Sequence, residues 1–134
     1  MLSATNKAIV VGRVGTNCLT GPHKTPSIRV ARNDPVELKR AADFGFQYIL
    51  VPEVQTAADA RAALDGVFYP LRGRRSCGAP LLRASNYGLQ TQAYLKAMAN
   101  GETIMAMLVE TVEDARNAAA IAAIEGVDIM FVGP

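Results

Sequence analysis

The chain has 134 residues, a formal net charge of +2 and 50% hydrophobic residues. This length is typical of a single domain and is enough to bury roughly two thirds of the unfolded surface in a core. The arginines are scattered apart from Arg72, Arg74 and Arg75, so there is no broad basic face and we expect no nucleic-acid partner. The apolar runs are far shorter than the roughly 20 residues of a membrane-spanning helix, so we also expect no membrane partner.

The first 26 residues carry weak signals. A strand is predicted over Ala8–Val14, followed by a loop rich in Gly, Pro and Thr that contains the single histidine, His23. We therefore separate an N-terminal segment, residues 1–26, from a domain over residues 27–134. The two cysteines, Cys18 and Cys77, lie far apart in the sequence. They are interpreted as free thiols of a reducing compartment, and we expect a cytoplasmic protein.

From Ser27 onward, strand and helix signals alternate. Ser27–Val30 is a predicted strand. Asp34 is a suitable N-cap and Pro35 a suitable first helical residue, so a helix is predicted over Pro35–Phe44, ending near Gly45. Three further strands are predicted, at Tyr48–Val51, Thr103–Val109 and Asp128–Val132. A capping box at Thr56–Asp59 predicts a helix to about Leu64 after the first of them. A second capping box at Thr111–Asp114 predicts an Ala-rich helix after the second.

The predicted strands are continuous apolar runs, as expected for a parallel sheet covered on both faces. Strand–helix alternation predicts an α/β layer or barrel. Four to five parallel strands with crossover helices amount to about half of a (β/α)₈ barrel, which needs ~250 residues. A small flavodoxin-like open sheet is the alternative. The Gly- and Arg-rich stretch Gly66–Gly88 is predicted to be a long loop, either functional or a solvated surface excursion.

Three polar residues lie at predicted strand ends, where parallel α/β folds place their chemistry. The planar fork of Arg29 suits a substrate carboxylate. Glu53 and Glu110 are carboxylates that suit a hard divalent cation such as Mg²⁺ or Mn²⁺. Each also has a plain interpretation: Arg29 and Glu53 as solvated side chains, and Glu110 as a complement to the dipole of the following helix.

Several stretches together carry a family resemblance: Ile28–Pro35, in which Arg29 precedes Asn-Asp-Pro, Ile49–Val54, Tyr69–Ser76, Val109–Thr111, Ala122–Asp128 and Phe131–Pro134. In order and spacing they resemble the HpcH/HpaI aldolases, which are metal-dependent class II pyruvate aldolases. The resemblance implies a partial TIM barrel and a lyase that cleaves 4-hydroxy-2-oxo acids to pyruvate and an aldehyde. It also implies Mg²⁺ or Mn²⁺ as cofactor, with Co²⁺ as a further candidate, a small 2-oxo acid as substrate, and a homo-oligomer.

The resemblance also implies roles for single residues. Arg29 would contact the keto or enolate oxygen, and Glu110 would be the first metal carboxylate. Asp43 matches an aspartate that supports a catalytic histidine in some members, and Gly133 matches backbone that holds the pyruvate carboxylate. Glu53 takes a position where some relatives have a histidine, and it could serve as acid or base if it were buried.

The chain also departs from the family pattern. The second metal carboxylate of the family lies two residues beyond its Gly-Pro, past Pro134, and its Asp-x-Glu-His motif does not occur in residues 1–26. Leu108 stands where many members have a glutamine. We therefore expect the chain alone to be weakly active or inactive. The alternative is a truncated, non-catalytic homologue that acts as an assembly or ligand-binding module.

Overall fold

The computed structural model describes residues 8–11, 24–99 and 101–133. Within them lie five strands, β1 (Ala8–Val11), β2 (Lys24–Arg29), β3 (Tyr48–Val51), β4 (Ile104–Val109) and β5 (Ile129–Val132). The same ranges contain four α-helices, α1 (Pro35–Phe44), α2 (Ala57–Val67), α3 (Thr91–Ala99) and α4 (Val112–Ala122). None of the described helices is long and apolar enough to cross a bilayer.

All five described strands pair in parallel and form one sheet in the order in which they occur in the sequence. A flavodoxin-like sheet would instead change direction, with strand order 2-1-3-4-5 and helices on both faces. In a (β/α)₈ barrel each strand pairs with the strand that precedes it in the sequence, and all the helices lie on one side of the sheet. The prediction of a partial barrel is therefore confirmed, and the open-sheet alternative is wrong.

The main core lies between the sheet and the helices. Ile49 and Val51 of β3 and Met105 and Met107 of β4 are fully buried on this face. They pack with apolar residues of all four helices, namely Leu38, Ala41, Ala42, Ala60, Ala63, Leu64, Val67, Met98 and Ile121. Because side chains alternate along a strand, the residues between them face the other way.

The opposite face of the sheet carries a second, smaller cluster. Tyr48, Leu50, Ala106 and Leu108 form it, with Ile104 and Ile129 packed against them. No residue of the described helices belongs to this cluster. In a closed barrel such a face is the interior, filled by layers of strand side chains. The continuous apolar runs thus reflect two apolar faces, of which the described helices cover one.

Most predicted elements are found at or near their predicted bounds. The helix at Pro35–Phe44 and the strand at Tyr48–Val51 are confirmed as predicted. The strand predicted from Ser27 begins earlier, at Lys24, and the helix predicted to end near Leu64 continues to Val67. The N-terminal strand is present at Ala8–Val11, whereas residues 12–14 of that prediction lie outside the described residues.

The prediction of one long loop over Gly66–Gly88 is correct only in part, because residues 68–78 form no helix or strand but other parts of the segment do. The segment begins as the last residues of α2 and contains two 3₁₀ turns, Ala79–Leu81 and Arg83–Ser85. The hydroxyl of Ser85 holds these two turns together. It donates to the Ala79 and Leu82 carbonyls and accepts from the Gly88 N–H at 3.2 Å. These side-chain bonds satisfy backbone groups that a regular helix would otherwise satisfy. α3, which follows this segment, was not predicted.

Both ends of α1 carry local capping signals, which is why this helix could be predicted from the sequence. The Asp34 carboxylate accepts from the N–H groups of Val36 and Glu37, at 2.9 and 3.2 Å. Gly45 ends the helix in the left-handed region at φ 90°, and its N–H bonds to helical carbonyls. An N-cap aspartate and a C-terminal glycine are local signals that need no tertiary context.

Replacing Gly45 by alanine is expected to lower the free energy of unfolding by about 1–2 kcal/mol, because an L-residue is strained at this positive φ. The new Cβ would also lie 3.3 Å from the Cα of Ala84. The matched control is Gly78→Ala, where φ is −110° and the nearest atom to a Cβ is Leu82 Cδ2 at 3.7 Å. Urea unfolding of both variants checks this, and equal effects would contradict it.

Candidate active site

The carboxyl ends of β2 to β5 meet at one edge of the sheet because all the strands run in the same direction. This edge carries Arg29 at the end of β2, Glu53 just past β3, Glu110 just past β4 and Gly133 just past β5. Four of the five residues predicted for the site are thus placed at the same edge. The fifth, Asp43, lies elsewhere.

Arg29 and Glu110 meet directly. Nη2 of Arg29 donates to Oε1 of Glu110 at 3.2 Å, across the end of β3. The register explains the meeting, because Arg29 is the partner of Leu50 and so shares the face of the smaller apolar cluster. Glu110 follows Leu108 at the two-residue period of a strand and takes the same face. The side chains remain 49% and 33% exposed, so both are open to a ligand.

Asp114 fixes the backbone at Glu110, and this role was missed at the level of sequence. Oδ2 of Asp114 accepts from the N–H groups of Glu110 and Thr111, each at 3.0 Å. Thr111 donates its hydroxyl to Oδ1 at 2.6 Å and accepts from the Asp114 N–H, which completes the capping box. The hydrogen bond from the Thr111 hydroxyl, followed by the backbone N–H groups, lowers the pKa of Asp114 although burial opposes the shift. The Thr-x-x-Asp pattern was the available signal.

Glu53 lies in the left-handed region at φ 59°, an uncommon conformation for a residue other than glycine. It is exposed, whereas its neighbours Pro52 and Val54 are buried. Its carboxylate makes no hydrogen bond or ion pair within the described residues. Its backbone is therefore held by the burial of its neighbours, while its side chain is free to meet a ligand.

Gly133 extends the sheet beyond β5. Its N–H donates to the Val109 carbonyl at 3.2 Å, one residue before Glu110. The amide is therefore already engaged in the sheet, and what Gly133 offers to the site is the absence of a side chain. A Cβ at this position would contact Leu108 Cδ2 at 3.6 Å.

Asp43 is not brought to this edge. It lies near the end of α1, and α1 leads from the carboxyl end of β2 back to the amino end of β3. Its Oδ2 accepts from Lys39 Nζ at 2.6 Å, and its Oδ1 lies 3.8 Å from Nη1 of Arg75. Asp43 is thus a counter-ion on the helical side of the sheet.

Arg75 is the reason that a carboxylate is needed there. Its side chain is fully buried, its Nη2 donates to the Tyr94 hydroxyl at 2.5 Å, and its guanidinium stacks on the Tyr69 ring at 4.0 Å. Burial and the hydrogen bond with Tyr94 raise the pKa of Tyr69, so this phenol stays neutral. Asp43 is therefore the nearby anion that offsets the buried charge of Arg75.

The donor set at the carboxyl edge fits a divalent cation in part. Within the described ranges no three His, Cys, Asp or Glu side chains cluster as a metal site. Glu110 offers one exposed carboxylate, whose Oε2 accepts no hydrogen bond from the described residues. Mg²⁺ is commonly held by one or two carboxylates together with substrate oxygens and water. Glu110 therefore fits as one ligand and does not complete a site by itself.

A parallel sheet wound in sequence order, with an arginine and a glutamate meeting at its carboxyl edge, places the chain among the barrel-type α/β enzyme folds. A family model described as HpcH/HpaI aldolase/citrate lyase matches residues 16–134, and the chain belongs to this family. The match begins before residue 27, whereas the division into residues 1–26 and 27–134 stays a prediction.

Similar proteins agree with this assignment. The chain is 44% identical over 109 residues to a 2-dehydro-3,6-dideoxy-6-sulfogluconate aldolase of Pseudomonas putida, covering 81% of the chain and 42% of that protein. It is 40% identical over 109 residues to a 4-hydroxy-2-oxo-heptane-1,7-dioate aldolase of Escherichia coli, covering 81% of the chain and 41% of that protein. The chain thus spans about two fifths of the length of these curated relatives.

Solved structures show the same fold. A HpcH/HpaI aldolase/citrate lyase family protein of Burkholderia cenocepacia superposes with a TM-score of 0.76 at 30% identity, covering 84% of this chain and 44% of that one. A macrophomate synthase superposes with a TM-score of 0.66 at 27% identity, covering 84% of this chain and 38% of that one. The likeness extends over 84% of this chain and less than half of each neighbour.

Asp114→Asn is expected to remove a pH-dependent part of the stability. Hydrogen bonds from Thr111 and the backbone hold the folded-state pKa of Asp114 below the usual range of an aspartate. Its contribution is therefore present above pH 4 and is lost as the pH falls through the folded-state pKa. The free energy of unfolding, measured in urea between pH 6 and pH 3, should fall less steeply in the variant than in the wild type. A surface control, Glu113→Gln, should follow the wild type, and identical slopes for all three proteins would contradict the assignment.

Asp43→Asn is expected to destabilise the protein by about 1–3 kcal/mol, because it leaves the buried Arg75 without its counter-ion. Asp65→Asn is the matched control, because Asp65 pairs with the exposed Arg74 at 3.3 Å and such pairs contribute about 0–1 kcal/mol. Urea unfolding at pH 7 measures both. A loss for Asp43→Asn no larger than that of the control would contradict the role as counter-ion.

Proposed function

We propose that the chain supplies part of the active site of a carbon–carbon lyase, which cleaves a 4-hydroxy-2-oxo acid to pyruvate and an aldehyde by a retro-aldol reaction. The observation that carries the proposal is the meeting of Arg29 and Glu110 at 3.2 Å at the carboxyl edge of the sheet. A cation and a carboxylate at this edge match the two needs of the reaction, a group that binds the 2-oxo acid and a group that binds a metal ion. The aldolase relatives support the same chemistry.

Arg29 is proposed to bind and orient the 2-oxo acid. Its guanidinium is always charged and presents its N–H donors in a fixed plane, which suits the adjacent carboxylate and keto oxygens of such an acid. The side chain is half exposed, and its one side-chain hydrogen bond and ion pair among the described residues are with Glu110. It can therefore turn towards a ligand without breaking a buried network.

Glu110 is proposed as the metal carboxylate, with Mg²⁺ or Mn²⁺ as the ion and Co²⁺ as a further candidate. A bound divalent cation supplies Lewis-acid stabilisation of the enolate oxygen that forms when the carbon–carbon bond breaks. The contribution of the chain is positional: Asp114 and Thr111 fix the backbone of Glu110, so its carboxylate projects from a rigid helix start.

Retro-aldol cleavage also requires a group that removes the proton of the 4-hydroxyl. Glu53 is proposed for this role because it lies at the end of β3, between the strands that carry Arg29 and Glu110. Its exposed carboxylate has no competing partner within the described residues. Gly133 is proposed to leave space for the substrate. The supporting role in catalysis predicted for Asp43 stays a prediction, and its carboxylate pairs with Lys39 and lies near Arg75.

The wider proposal is a cytoplasmic homo-oligomer acting on a small 2-oxo acid. The rival proposal, a non-catalytic assembly or ligand-binding module, gains no specific support from the described residues. Metal-dependent turnover separates the two.

The direct test is pyruvate release from a 4-hydroxy-2-oxo acid in the presence of Mn²⁺, with pyruvate measured by coupled reduction to lactate. Any turnover is expected to fall about 100-fold or more in Glu110→Gln, since the variant loses charge stabilisation at the reacting oxygen. Glu113→Gln, in the first turn of the helix that follows Glu110, is the matched control and should retain wild-type turnover. Pyruvate release that is unaffected by Glu110→Gln would refute the assignment, and its absence in all proteins would favour the non-catalytic module.

A further inference from the structure

A groove of about 700 Å³ lies on the helical side of the sheet, between α1, α2 and residues 74–76. None of the four described site residues at the carboxyl edge lines this α1–α2 groove. Its lining combines charged side chains with an apolar stretch that includes Pro35, Val36, Ala62 and Gly66. Sites for small molecules are concave, of this size and mostly apolar, with a few polar groups that orient the ligand.

Positive charge exceeds negative charge in the α1–α2 groove. Four cations and two carboxylates line it, namely Lys39, Arg40, Arg74 and Arg75 against Asp43 and Asp65. Glu37, which does not line the groove, pairs with Arg40 at 3.8 Å, and the cations remain in excess even when this carboxylate is included. A cleft in which one sign of charge dominates raises the local concentration of ligands of the opposite charge. The groove therefore favours an anion.

The buried Arg75 gives independent evidence for an anion here. Its side chain is fully buried, yet its Nε and Nη1 atoms have no hydrogen-bond partner among the described residues. Oδ1 of Asp43 lies 3.8 Å from Nη1, too far for a hydrogen bond, and is itself without a hydrogen-bond partner in the same part of the chain. The other oxygen of Asp43 accepts from Lys39 at 2.6 Å. A single carboxylate thus lies beside two cations and hydrogen-bonds to one of them.

We propose that the α1–α2 groove binds a phosphate monoester, with its phosphate at Lys39, Arg40 and Arg74 and its organic part against the apolar lining. The excess of two positive charges in the lining matches the charge of about −2 that such a phosphate carries near neutral pH. The enclosed Arg75 adds its charge from below. The proposal is independent of the lyase activity and needs no metal ion.

The three outer cations can reach a ligand because their side chains are exposed to water. Arg74 pairs with Asp65 at 3.3 Å and Arg40 with Glu37 at 3.8 Å, and exposed pairs of this kind are weak. Hydrogen bonds between a guanidinium and phosphate oxygens are stronger and can be bidentate. A phosphate can therefore draw both arginines into the groove at small cost.

The chain contains a matched control for Arg40. Arg40 pairs with a glutamate three residues earlier, at 3.8 Å, and its side chain is 70% exposed. Arg116 on α4 pairs with Glu113 in the same way, at 3.7 Å, and is 72% exposed. Only Arg40 lines the groove. Replacing either arginine by methionine removes the same charge and the same kind of ion pair, so a difference in binding reports on the groove.

The test is titration of the ¹⁵N-labelled full chain with phenyl phosphate, followed by the backbone amide chemical shifts. Saturable shifts are expected at residues 39–43 and 74–76. Phenyl phosphate should bind more tightly than benzoate, which carries a single charge, and more tightly than inorganic phosphate, which lacks the apolar ring. Arg40→Met should raise the dissociation constant about tenfold through loss of a hydrogen bond between charged groups. Arg116→Met should bind like the wild type.

The absence of saturable shifts at these amides would overturn the proposal, as would equal weakening by Arg40→Met and Arg116→Met. Binding of inorganic phosphate or benzoate as tight as that of phenyl phosphate would also contradict it, because the apolar lining or the double charge would then play no part. Urea unfolding of both variants confirms that they are folded, as the exposure of the two arginines leads us to expect.

Discussion

Parallel pairing in sequence order is the constraint on which the rest of this molecule depends. Each strand lies beside the one that precedes it in the chain, and the four described helices pack on the same face of the sheet. All carboxyl ends therefore lie at one edge, and the other face of the sheet is left to a purely strand-based apolar cluster. The pairing gathers residues as distant in sequence as Arg29 and Glu110. No local interaction could bring them together.

Helix capping links the scaffold to the site. Thr56–Asp59 and Thr111–Asp114 start α2 and α4, and in each box the aspartate also accepts from the N–H of the residue before the threonine. The same carboxylate thus caps a helix and holds the backbone of the residue that precedes the threonine. In the second box that residue is Glu110, so the capping interaction that stabilises α4 also positions the proposed metal ligand. This explains how a short apolar strand can present a polar side chain in a defined place.

On the helical side of the sheet, charged residues pair with one another within the fold. Arg75 is buried among Tyr69, Tyr94 and Asp43, and it ties the segment after α2 to α1. A family resemblance assigned Asp43 to catalysis because resemblance follows sequence position. The structure places it far along α1 from the carboxyl edge, where its charge offsets that of Arg75. The pairing with Arg75 is what the structure describes, and the role in catalysis stays a prediction.

The sequence by itself determined the elements whose signals are local. The Asp34 cap, the terminal Gly45, both capping boxes and the apolar strands act within a few residues, so α1, α2, α4 and β2 to β5 were found near their true bounds. The placement of Arg29, Glu53 and Glu110 at one edge could be predicted because the strand ends of a parallel sheet converge. Only the tertiary structure decided the sequential strand order, the order within Gly66–Gly88, the counter-ion role of Asp43 and the contact of Arg29 with Glu110. These depend on burial and on pairing between distant segments, whose energies are set by partners that no local pattern contains.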